Sequence, residues 1–120
     1  MPTDWSDNIT ISQLADEPAL SEELNTLIDG IIADDVLNIP HVVLNFGAVS
    51  YVNSSNIAQL LRLRKLLNES DRMLRLCSVG DGVWSVLLVT GLDKVFQFAP
   101  DPMTAIAGLQ LEEDGKEGSG

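Results

Sequence analysis

Between residues 9 and 110 the spacing of apolar residues switches back and forth between the strand period and the helix period. That switching excludes all-helical and all-β architectures. Ile9 and Ile11 alternate with polar neighbours, and only residues 9–14 can form a strand before the first helix. Leu20, Leu24, Leu27, Ile28, Ile31 and Ile32 then recur at the spacing of an amphipathic helix. Pro18 stands at its start, with Glu22 and Glu23 placed for the helix dipole. After Pro40, His41-Val42-Val43-Leu44-Asn45-Phe46 is almost continuously apolar and β-branched, which predicts a strand covered on both faces.

A second helix is expected after Asn53-Ser54-Ser55-Asn56, with Ile57, Leu60, Leu61, Arg64 and Leu67 near one stripe. Residues 73–79 read as a strand, and residues 83–89 as a short helix stopped by Gly91. Residues 95–98 alternate like an edge strand, and Asp101-Pro102 opens a last helix as N-cap and first residue. The order β-α-β-α-β-α-β-α predicts one α/β domain with right-handed crossovers. Its sheet is mixed, mostly parallel, of about four strands flanked by about four helices. No repeat or second composition zone appears, and 120 residues suit a single core. Residues 1–7 and 112–120 are polar and are expected to be frayed.

Charge narrows the function. The formal net charge is −11, from 7 Lys and Arg against 18 Asp and Glu. A field of that sign repels phosphate backbones and anionic lipid, which argues against nucleic acid and membrane surfaces as partners. The first basic residue is Arg62, so the acidic N-terminal half carries no cation. Such a half either keeps the protein soluble or faces a partner with a basic surface. No apolar run approaches the roughly 18–20 residues of a membrane helix, and no basic-then-apolar leader is present. The single cysteine, Cys77, has no internal disulfide partner. A cytoplasmic location is expected.

Catalysis finds little support. His41 is the sole histidine, at the mouth of a buried strand, and nothing near it in sequence supplies a nucleophile and an acid. Cys77 lies among apolar neighbours, as an inert thiol does. With one histidine and one cysteine, a zinc site has almost no ligands. Gly80-Asp81-Gly82 lacks the third glycine or lysine of a phosphate cradle and reads as a strand-to-helix turn. No enzyme activity and no cofactor are expected.

What remains is Tyr51-Val52-Asn53-Ser54-Ser55-Asn56-Ile57, at a strand-to-helix junction. Asn and Ser there cap the bare N–H groups of a helix start. A serine in that place also stands at the positive end of the dipole, where the fold tolerates a phosphate. That phosphate adds about −1.5 to −2 charges to the surface. Trp84, at the start of the third helix, is either a contact residue on the same rim or a partly buried packing residue.

Residues 42–109 resemble the STAS domain, the family of bacterial anti-sigma factor antagonists. The counterparts of its apolar strand, its Asp-Ser-Ser/Thr-Gly-Leu motif and its Thr-Gly-Leu-Asp-Lys segment are three. They are Val42-Val43-Leu44-Asn45-Phe46, Asn53-Ser54-Ser55-Asn56-Ile57 and Thr90-Gly91-Leu92-Asp93-Lys94-Val95-Phe96. The resemblance implies that Ser54 is the phosphoacceptor of an anti-sigma factor that is also a serine kinase. It further implies that the unphosphorylated form binds that kinase, and that Asn53, Ser55, Asn56 and Trp84 lie on the partner surface.

Asn53 replaces the family's aspartate and Asn56 its glycine, where a side chain is added at a place of close approach. Members usually have two strands before the first helix, and here that pair reads as shortened, which leaves a sheet edge open for a homodimer. The alternatives are a STAS scaffold without phosphorylation, in a stress-signalling or transporter assembly, and a small-ligand or nucleotide-binding domain.

Overall fold

The computed structural model describes residues 3–6, 8–33 and 39–119, with side chains over 8–33 and 39–111. Among these residues five strands lie in the spatial order of the chain: β1 (Thr3–Ser6), β2 (Ile9–Ala15), β3 (His41–Ala48), β4 (Leu74–Cys77) and β5 (Gln97–Ala99). β1 runs antiparallel to β2, and the other neighbours are parallel. Among the described residues four α-helices connect or follow them: α1 (Ala19–Ala33), α2 (Ser54–Glu69), α3 (Asp81–Thr90) and α4 (Pro102–Ser119). A 3-10 turn, Leu92–Lys94, leads into β5.

Successive parallel crossovers that step in one direction with one hand place their helices on one face of the sheet. The core shows this division. Val42, Leu44, Phe46, Leu74 and Leu76 meet Leu20, Leu24 and Ile28 of α1, Leu60, Leu63 and Leu67 of α2, and Val83 and Leu87 of α3. On the other face Ile9, Ile11, Val43 and Cys77 meet Ala105 and Leu109 of α4. β3 is central, with both faces covered, which is why its run of apolar residues is unbroken.

His41 is buried, and its Nδ1 accepts the Met73 N–H at 2.9 Å, while its own N–H donates to the Asn8 carbonyl at 2.8 Å. It ties together the starts of β2 and β3 and the approach to β4. Cys77 is buried, and desolvation raises its thiol above the ordinary range.

Two readings need correction. The N-terminal strand pair is present rather than shortened: Thr3, Asp4, Trp5 and Ser6 pair with Ser12, Ile11, Thr10 and Ile9. Backbone groups along β2 are satisfied by this pairing whatever side chains β1 carries, so a polar segment serves. The edge of the sheet on this side is therefore β1 and not β2. Of the stretch expected to fray, residues 1, 2 and 7 lie outside the described residues. At the other end α4 continues to Ser119, past the expected tail at 112; Glu112, Glu113, Lys116 and Glu117 are good helix formers that prolong it. Residue 120 is outside the description. No helix among the described residues is long and apolar enough to cross a membrane.

Candidate functional site

In a sheet of this kind the loops that leave the carboxyl ends of the parallel strands share one rim. Here they are residues 16–18 after β2, 49–53 after β3 and 78–80 after β4. Ser54, the first residue of α2, stands on that rim and is exposed, and Ser55 after it is exposed as well. Neither hydroxyl makes a hydrogen bond with the protein among the described residues.

The turn that carries them is built by two asparagines. Asn53 is extended, with φ −100° and ψ 178°, and its Oδ1 accepts the Asn56 N–H at 2.9 Å. Asn56 answers in kind: its Oδ1 accepts the Asn53 N–H at 3.0 Å. This is a capping box with asparagine where Glu or Gln is usual. The Asn56 Nδ2 donates to Glu17 Oε2 at 3.0 Å and to Gln59 Oε1 at 3.3 Å. Gln59 in turn donates to the Ser21 carbonyl at 3.0 Å and to Asn25 Oδ1 at 2.9 Å, on α1.

The loop after β2 closes the corner from the other side. Glu17 Oε1 accepts the Ser21 N–H and hydroxyl at 2.8 and 2.7 Å. Its donors, Asn56 first and then Ser21, hold the carboxyl below its ordinary range. Asp16 takes the Ser50 N–H and hydroxyl, each at 2.8 Å, and those bonds likewise hold its carboxyl low. The start of α3 approaches as closely: a Cβ on Gly82 would run into the Ser50 carbonyl oxygen. Gly80 caps α3, and Asp81 and Gly82 are already helical, so the expected turn is shorter than it reads.

Ser54, Asn53 and Ser55 thus come together, the first and third exposed and Asn53 half-buried. Asn56 does not join them at the surface. It is fully buried, because its side chain folds back to complete the cap, so the expected partner contact through it is corrected. Trp84 is half-buried and edge-on to Phe98, with ring centroids 5.1 Å apart at 85°, and it packs against the core. Tyr51, which opens the stretch singled out in the sequence but carries no expected role there, is 61% exposed beside the turn.

Glu17, Gln59 and Asp16 were also missed. An N-cap three residues before a second amide was the one local sign of the box, and no spacing rule connects either acid to its partner. Among the described residues no group of His, Cys, Asp and Glu could hold a metal.

Residues 8–105 match the STAS domain. No curated protein matches the sequence. Among solved structures, an anti-sigma-factor antagonist (STAS) domain protein from Planctomyces limnophilus is 20% identical, with a TM-score of 0.75 over 90% of this chain and 96% of that one. A serine-to-glutamate variant of RsbS from Moorella thermoacetica is 15% identical, with a TM-score of 0.77 over 94% and 97%. The anti-sigma factor antagonist SpoIIAA in its unphosphorylated form is 11% identical, with a TM-score of 0.65 over 88% and 93%. At these identities the likeness shows the fold.

Proposed function

The chain belongs to the STAS domain family, and from that premise we propose that it is an anti-sigma factor antagonist switched by phosphorylation of Ser54. In this reading the unphosphorylated protein binds an anti-sigma factor that is also a serine kinase, and the phosphorylated protein is released. Sigma factor freed in the first state then acts in transcription.

The observation that carries the reading is the exposed Ser54 hydroxyl at the first position of a helix whose cap is made entirely by other side chains. A phosphate there costs the cap nothing and gains the dipole. No cation lies nearer in sequence than Arg62, about 12 Å along a helix at 1.5 Å per residue. The new charge therefore acts outward on whatever docks. Like-charge or unpaired-charge penalties of several kcal/mol follow in a desolvated interface, enough for more than a thousandfold in affinity at about 1.4 kcal/mol per decade. Asn53, Ser55 and Tyr51 form the contact surface around the hydroxyl, and Trp84, near the start of α3, is a further contact residue on the same rim.

Incubation with a candidate anti-sigma kinase and ATP, followed by peptide mapping, tests the switch. Phosphate is expected on Ser54 in the wild type and absent from Ser54→Ala. Ser54→Asp is expected to bind the kinase at least about tenfold more weakly, with stability changed by no more than about 0.5 kcal/mol. Equal binding by wild type and Ser54→Asp sinks the switch, and stable co-purification without phosphate favours the unphosphorylated scaffold.

A further inference from the structure

We infer that Glu17 is the positioning residue of the Ser54 turn, and that Glu17 and Asn56 form one matched carboxylate–amide pair between the loop after β2 and the first turn of α2. The inference rests on the reading of Ser54 as phosphoacceptor and names what holds that serine in place. Glu17 is engaged through both oxygens: Oε2 by Asn56 Nδ2, Oε1 by the N–H and hydroxyl of Ser21. Only a carboxylate accepts at both ends; a glutamine offers one accepting oxygen and turns an NH₂ toward a donor.

Asn56 is equally committed. Its oxygen takes the Asn53 N–H, so its NH₂ must face Glu17, with Gln59 as a longer second acceptor. Ser54 sits between the two halves of this box. Glu17 therefore fixes, from the far side of the sequence, the geometry in which the hydroxyl is presented. The pairing also accounts for the side chain at position 56, which is fully buried and yet polar.

An exchange of the pair tests this on the full chain. Glu17→Gln is expected to speed hydrogen exchange at the Asn53 and Asn56 backbone amides by about threefold or more, with β3 amides unchanged. Asn56→Asp sets a buried carboxylate against Glu17 and is expected to lower the thermal midpoint further than Glu17→Gln does. In the double variant the new amide at position 17 donates to the new carboxylate at position 56 and keeps its oxygen for Ser21, so most of the midpoint returns. Additive losses in the double variant overturn the pairing. Should Asn56→Asp fail to fold alone, unchanged exchange in Glu17→Gln overturns it instead.

The link to Ser54 is read from the kinase reaction. Glu17→Gln is expected to slow Ser54 phosphorylation at least about threefold, and the exchanged pair to restore it; an unchanged rate refutes the positioning role. Exchange and melting use the free chain, so their failure is distinct from a failure to find phosphate on Ser54.

Discussion

Asparagine at position 53 serves the helix start through a neutral amide, and the charge at this corner comes from Asp16 and Glu17 instead. Both acids accept several hydrogen bonds and both carboxyls are held low by them. A group with a depressed folded-state pKa holds fewer protons folded than unfolded at acidic pH. Its contribution is complete above the ordinary carboxylate range and is lost as the pH falls through and beneath that range. Urea midpoints measured from neutral pH down into that range are expected to decline, and Glu17→Gln to decline less steeply than wild type. Parallel slopes for the two proteins would contradict the bonding described for Glu17.

At the scale of elements, β3 and α1 were legible because their apolar residues report directly on what covers them. An unbroken run needs two covered faces, and α1 carries four buried residues in the expected stripe. β1 was not legible, since its pairing uses backbone groups that no side-chain pattern reveals. The site divides in the same way. Asn53 and Ser54 announced a helix start through local capping chemistry. The partners of Asn56 and Ser50 lie 39 and 34 residues back in the chain, and only the fold brings them together.

Gly82 belongs to this second class. Alanine there is the better helix former by about 1 kcal/mol, but its Cβ meets a backbone oxygen, and overpacking of that kind costs about 1–3 kcal/mol. Gly82→Ala is expected to lose up to about 2 kcal/mol net, measured as a lower urea midpoint at unchanged slope. A stabilised variant would mean that the loop after β3 yields easily.

For the whole molecule the relevant quantity is the net charge of −11 on 120 residues. Self-repulsion of that kind opposes the compact state and is screened by salt. Raising ionic strength from about 0.01 M to about 0.15 M shortens the screening length from about 30 Å to about 8 Å, and the longest extent of the molecule is 40 Å. The thermal midpoint is therefore expected to rise with added salt, as followed by circular dichroism. A fall would show that attractive charge pairs outweigh the repulsion.

The loop after β3 is gripped from both sides, by Asp16 through Ser50 and by the bare backbone of Gly82. A residue inserted into the loop after β2 or the loop after β3 breaks the register between them, so descendants of this chain can diversify these two loops by exchanging side chains but hardly by changing their length.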